Sequence, residues 1–244
     1  MSDPLRIALV AEGPTDGVVI ESALKSILYE RPFVLKQIFP EGSTSFGELG
    51  TGWIGVYRWC RQSAKRGNGS LSNDQLAFQN FDLLILHVDA DVAGFNYADG
   101  SVIPEASDGV LPCNQPCPPP TDSTDALRLV LLSWCGEIQT PVRTVICMPS
   151  KSTEAWVVAS LFPNDQAMQQ GIECHPDAES RLGQQPRANR IRKKRRDYEG
   201  RASELVVAWP ELVAPGALGE ALRFQEEFLE AVATEDAREQ NEQA

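Results

Sequence analysis

No stretch of 18 consecutive apolar residues occurs in this chain of 244, so a membrane-spanning helix, which needs about 20, is not expected. The opening MSDPLRIALV has no basic region ahead of its short apolar stretch. That stretch reads as a strand rather than a signal peptide, and the expected location is the cytoplasm. There is no internal repeat, which sets aside repeat architectures. Positive charge is also scarce: 22 Lys and Arg face 34 Asp and Glu, for a net charge of −12. Such a balance argues against a general polyanion binder.

What is present describes an ordinary globule, with 42% hydrophobic and 23% charged residues. The length allows one α/β domain plus an appendage. The six cysteines (60, 113, 117, 135, 147 and 174) are scattered. Without a secretory signal, reduced thiols are expected. The charge is uneven: Arg187–Arg201 (RANRIRKKRRDYEGR) holds eight basic residues and two acids, leaving 14 basic against 32 acidic residues elsewhere.

Strands and helices alternate through the first two thirds. Arg6–Ala11 reads as a strand, followed by a helix from Thr15 to about Leu28, whose stripe is Val18, Val19, Ala23, Leu24, Ile27 and Leu28. Phe33–Phe39 is a second strand. A Gly/Ser/Thr-rich loop over Glu41–Gly52 leads to a helix near Trp53–Lys65, stopped by Gly67-Asn68-Gly69. Leu83–Val88 is the third strand. An irregular insert, Ala93–Pro120, is long enough to be functional or disordered. Asp122–Cys135 has helical spacing, Arg143–Met148 is a fourth strand, and Ser152 or Thr153 opens a helix to about Leu161. Leu218–Val232 is an amphipathic helix, and the acidic tail after Thr234 is expected to fray. This order implies a mostly parallel sheet flanked by helices. The expected division is a catalytic unit over 1–165 and, over 166–244, a basic segment with a small helical extension.

Two of the apolar strands run straight into acids: Glu12-Gly13-Pro14-Thr15-Asp16 follows the first, and Asp89-Ala90-Asp91 the third. Ligands of open α/β sheets bind at the carboxyl ends of strands, and carboxylates gathered there need a compensating cation, so Glu12, Asp89 and Asp91 suggest a divalent metal site. On an extended chain, residues two apart face the same way, so Asp89 and Asp91 can reach one ion. Hard oxygen donors suit Mg²⁺ or Mn²⁺. The glycine of the first motif permits a sharp turn, and the helix start offers N–H groups to a phosphate. Asp16 reads as a helix-start acid and His87 as a sheet-facing side chain.

A strand ending in Glu-Gly-x-Thr-[Asp/Glu], followed by one ending in Asp-x-Asp-x-x-Gly (here Asp89 to Gly94), resembles the Toprim fold over about residues 5–160. Topoisomerases, bacterial primases, recombination-repair proteins and nucleases of the OLD type share it. The resemblance implies a Toprim-like, Rossmann-like α/β fold, Mg²⁺ or Mn²⁺ as cofactor, Asp89 and Asp91 as metal ligands and Glu12 as general acid or base. The segment Pro149-Ser150-Lys151-Ser152-Thr153-Glu154-Ala155-Trp156 is similar to one in small stand-alone bacterial Toprim proteins, some associated with phage defence. By that likeness Glu154 joins the acidic site and Lys151 neutralises a phosphate; the plain alternative is that Glu154 is a first-turn acid favourable to its helix dipole. No zinc-ribbon or helicase module accompanies the motifs, which argues against a replicative primase or a full topoisomerase and points to a protein partner.

The expected activity is therefore metal-dependent phosphoester cleavage of DNA or RNA. Arg190, Arg192, Lys193, Lys194, Arg195 and Arg196 would contact phosphates, with Tyr198 as a stacking group, unless the segment pairs internally with the acidic remainder. Three alternatives stay open. One is a haloacid-dehalogenase-type phosphatase with Asp89 as nucleophile, although such a pair normally ends the first strand. A second is a glycosyltransferase, in which Glu12 would have no role. The third is a binding or regulatory module without turnover. Cys113, Cys117, Cys174 and His175 could form a zinc site, but their spacing is loose and an ordinary pair of loop thiols is preferred.

Overall fold

The computed structural model describes residues 3–40 and 49–242; the loop residues 41–48 fall outside it. Four strands form one sheet: β1 (Leu5–Val10), β2 (Phe33–Phe39), β3 (Leu83–His87) and β4 (Thr144–Cys147), ordered β2-β1-β3-β4 and all parallel. Ten helices are described: α1 (Pro14–Ile27), α2 (Gly52–Arg66), α3 (Gln75–Phe78), α4 (Thr121–Trp134), α5 (Thr153–Leu161), α6 (Gln166–Gln169), α7 (Ala178–Gly183), α8 (Arg195–Glu199), α9 (Ala202–Leu212) and α10 (Gly219–Glu242). This is a Rossmann-like α/β fold. No helix among the described residues is long and apolar enough to cross a membrane.

Side-chain alternation along each strand divides the core in two. Leu5, Ile7 and Leu9 of β1, with Leu83, Ile85 and Val145, pack against α1, α5 and the C-terminal helices. Ala8 and Val10, with Leu84, Leu86 and Ile146, pack against α2 and α4. Both faces are thus covered, which is why β1 and β3 read as continuous apolar runs. The chain passes from β1 outward to β2 and then returns to pair β3 on the other side of β1. The crevice between β1 and β3 is therefore the topological switch point, where open α/β sheets take their ligands. The register Val10↔Leu86 and His87↔Cys147 brings the ends of β1, β3 and β4 to one rim.

The C-terminal part belongs to the same core. Trp156 of α5 lies 5.3 Å from Trp209 of α9 and 6.1 Å from Phe224 of α10, ring centre to ring centre. Removing a buried aromatic of this kind costs about 3–5 kcal/mol. The acidic tail is not frayed: α10 continues to Glu242, Asp236 pairs with Arg31 at 2.6 Å, and Glu235 pairs with Arg238 and lies 3.8 Å from Arg143. Intrahelical bonding and these ion pairs outweigh the local charge repulsion.

The insert is ordered against the α2/α4 layer. Tyr97 Oη donates to the Gly109 carbonyl at 2.7 Å and accepts from Trp134 Nε1 at 2.8 Å, while Tyr57 Oη donates to Asp108 at 2.8 Å. A Cys117–Cys174 disulfide ties its end to the turn before α7. The expectation of six reduced cysteines is thereby corrected at two positions, and with it the zinc reading, because both thiolates are consumed. Cys60, Cys113, Cys135 and Cys147 are free, and His175 Nδ1 accepts the Asp177 N–H.

A candidate metal centre at the carboxyl ends of three strands

Each of β1, β3 and β4 hands the chain to an acid at this rim: Glu12, Asp89 and, through the turn opening α5, Glu154. Glu12 Oε1 accepts the main-chain N–H of Asp89 at 2.8 Å, a bond that bridges the switch-point crevice. Asp16, in the first turn of α1, accepts the Gly13 N–H through Oδ2 at 2.8 Å and the Thr153 hydroxyl through Oδ1 at 2.9 Å. Thr153 also donates its N–H to Asp89 Oδ1 at 3.1 Å. One threonine at the start of α5 thus joins the β1 and β3 acids.

The turn after Glu12 works differently from the sequence expectation. Gly13 is extended (φ −149°, ψ 172°), so no left-handed backbone is required. Its N–H is capped by Asp16 rather than left for a phosphate. Asp16 is the helix-start acid that the sequence implies, but it is also buried, with 2% of its surface exposed.

His87 follows Ile85 by one strand period and faces the α1/α5 layer with no exposed surface. Its Nε2 lies 3.2 Å from Asp89 Oδ1, an ion-pair contact without hydrogen-bond alignment. Donor atoms of Asp16, His87 and Asp89 all fall within 4.8 Å of one another. His87 is therefore both sheet-facing and a member of the acidic site.

Asp91 takes another course. The backbone leaves the extended conformation at once and coils into a single 3₁₀ turn, Ala90–Gly94, so the two-residue rule for a strand does not hold. The Asp91 N–H donates to the Lys151 carbonyl at 3.1 Å, and its side chain stands exposed at the rim. Lys151 is half-buried beside it. Glu154 is fully buried: Oε1 accepts the Tyr198 hydroxyl at 2.7 Å and lies 3.5 Å from Lys193 Nζ, while Oε2 has no hydrogen-bond partner among the described residues. It is the first-turn acid of α5, but it points into protein rather than solvent.

Crowding and burial raise proton affinity throughout the cluster. Burial, with the neighbouring Asp89 carboxylate adding, holds the Glu12 carboxyl well above its ordinary range. Burial also raises Asp16, with the Glu154 charge adding and His87 opposing. Burial pushes Asp89 up to about 7 against the opposing His87 contact. The protein beneath Asp91 raises its carboxyl to about 6, Lys193 opposing. For His87, burial disfavours the cation, but Asp16, Asp89 and Glu12 prevail and bring it up to about 9. The buried acids around His87 thus favour its protonated form.

The basic segment is mixed. Lys193 reaches Glu154 and also Glu179, at 3.4 Å; Arg195 pairs with Glu199 at 2.7 Å, and Arg190 donates to the Gln185 carbonyl at 3.1 Å. Arg192, Lys194 and Arg196 are exposed. Tyr198 is 3% exposed and bound to Glu154, which removes it as a stacking group. Sequence reasoning did not place Thr153 or Tyr198 beside the acids, and it foresaw Lys193 there only as the general alternative that the basic segment pairs internally. For Thr153 the signal was its place next to Glu154 at a helix start; for the other two there was no local signal.

No protein-family model, no curated protein and no solved structure matches this chain.

Proposed function

We propose that the protein is a metal-dependent phosphoester hydrolase acting on nucleic acid, a Toprim-type nuclease. The observation that carries this reading is the clustering of Asp16, His87 and Asp89 donor atoms within 4.8 Å of one another, with Glu12 bound to the Asp89 N–H and Glu154 Oε2 buried without a hydrogen-bond partner among the described residues. Burial raises the proton affinity of Glu12, Asp16 and Asp89, so a divalent cation could take the place of protons held there. The donor set, carboxylate oxygens with one imidazole nitrogen, fits Mg²⁺ or Mn²⁺. Asp16, Asp89 and Glu154 would hold the ion, His87 could join them only by giving up its proton, and Asp91 stands at the rim. A divalent cation bound there supplies electrostatic stabilisation of charge developing on the phosphate.

The remaining chemistry belongs to the chain. Glu12 Oε1 is engaged by the Asp89 N–H, so Oε2 is the oxygen that would exchange a proton with the attacking or leaving oxygen. A carboxyl held well above its ordinary range by burial suits a proton-exchanging role. Lys151 and the exposed cations Arg192, Lys194 and Arg196 would hold the phosphate backbone. Phage defence, suggested by the resemblance of the Pro149–Trp156 segment, would be the setting for such an activity.

One observation favours a second reading. His87 lies buried beside Asp16 with Nε2 3.2 Å from Asp89 Oδ1, placed to compensate part of the buried charge, as a binding module without turnover would require. The experiment that separates the two is incubation with supercoiled plasmid, single-stranded DNA and tRNA under Mg²⁺, Mn²⁺ or EDTA, beside Asp89→Ala. Metal-dependent cutting lost in the variant supports the nuclease; metal binding without cutting supports the module.

A further inference from the structure

We propose that Lys193 is a tethered counter-cation: its ammonium competes with a divalent cation at the acidic site and is withdrawn when a phosphodiester backbone engages the basic segment around it. The proposal rests on the metal-site reading above and adds a coupling between metal and nucleic acid.

The geometry is that of an exchangeable contact. Glu154 is buried at its oxygens, whereas the Lys193 side chain is 46% exposed and touches Glu154 Oε1 at 3.5 Å, longer than a good hydrogen bond. Its second partner, Glu179, is itself 51% exposed at 3.4 Å. That second pair, half-exposed on both sides, holds weakly, and the Glu154 contact is open to solvent on the lysine side only. Tyr198, by contrast, keeps a close 2.7 Å bond to the same Glu154 oxygen, so the carboxylate stays placed when the lysine leaves.

The surrounding backbone is pinned on both sides. Ile191 is 3% exposed in the core shared with α5 and α9, and Tyr198 is 3% exposed at the end of α8. Between them Arg192, Lys194, Arg195 and Arg196 face solvent. Phosphates drawn to these cations would lie within reach of a Lys193 rotamer change, with no unfolding of the segment. The ammonium would then exchange carboxylate partners for phosphate and open Glu154 to a metal. Polyanion and metal would each favour the other, with reciprocal strength.

The test is Mn²⁺ affinity measured by calorimetry on the full chain, for wild type, Lys193→Gln and Lys193→Arg, with and without a nuclease-resistant phosphorothioate oligonucleotide. Lys193→Gln should bind Mn²⁺ roughly tenfold more tightly than wild type, within the usual range for linked sites. The oligonucleotide should raise wild-type and Lys193→Arg affinity by a similar factor and leave Lys193→Gln unchanged. Mn²⁺ binding by wild type with an unaltered Lys193→Gln, or an oligonucleotide effect that survives in Lys193→Gln, would overturn this proposal alone. Absence of Mn²⁺ binding in every variant would overturn it together with the metal-site reading.

Discussion

The main-chain N–H of Asp89 donates to Oε1 of Glu12 at 2.8 Å, so the ends of β1 and β3 are joined across the switch-point crevice by one of the acids assigned to chemistry. Glu12→Gln keeps an oxygen acceptor for this bond and removes a charge from a crowded cluster. Thermal stability should be unchanged or higher, while cleavage falls by about 10²–10⁴-fold. Melting curves and plasmid cleavage, run on the same preparations, check both halves; an active Glu12→Gln would remove Glu12 from the chemistry.

Stability without metal should fall as pH rises. His87 goes from an ordinary 6.5 up to about 9, and Asp89 from 3.8 up to about 7. Both hold protons more tightly in the folded state, so the folded chain binds more protons than the unfolded one across this range. The His87 contribution is complete below about pH 6.5 and lost by about pH 9; that of Asp89 is lost through about pH 7. Melting temperatures in EDTA should decline from about pH 5 to 9, and His87→Gln should flatten the upper part of the curve. A rise in stability over that range would contradict the assignment.

Tyr198→Phe removes the hydroxyl that satisfies Glu154 Oε1. Loss of a hydrogen bond to a charged group costs about 1.5–3 kcal/mol, which in a chain of this size lowers the melting temperature by roughly 3–12 °C. Calorimetry on the purified variant checks the figure, and Glu154→Gln combined with Tyr198→Phe should show less than the sum.

The Cys117–Cys174 disulfide closes a loop with a sequence separation of 57. Denatured, unreduced protein should titrate four thiols, and six after reduction. Cys117→Ser should lower stability by about 2–4 kcal/mol, read from denaturant melts.

Neutralising Arg192, Lys194 and Arg196 together to Gln should leave the melting temperature within about 2 °C, since all three are exposed. It should weaken oligonucleotide binding and reduce the salt slope by about 2–3. A salt titration of fluorescence anisotropy measures both.

Much of this was legible from local pattern. Apolar runs of strand length located β1 to β4 within a residue or two, helical spacing located α1, α2 and α4, and a capping Ser152 or Thr153 located α5, because burial on a sheet or a helix face imposes a period on nearby residues. The acids at the ends of β1 and β3 could be named for the same reason. Less legible was the turn after β3: the run Leu83–Val88 suggested continued extension, whereas the chain coils at Ala90 and sends Asp91 outward. The tail was misjudged because its acids find Arg31 and Arg143 only when α10 docks, beside the local pair of Glu235 with Arg238.

The sequence by itself determined the order of elements, the parallel α/β class and the delivery of Glu12 and Asp89 to strand ends, since these follow from spacing within a few residues. Tertiary structure alone decided that His87 and Asp16 share their burial, that Thr153 joins them, that Cys117 meets Cys174, and that Lys193 and Tyr198 come back to Glu154. Those contacts join residues far apart in the chain. The Lys193 and Tyr198 contacts arise from packing the C-terminal part onto the α1/α5 face and the others from bringing α1, α5 and the insert against the sheet, and local periodicity does not specify which side chains such packing brings together.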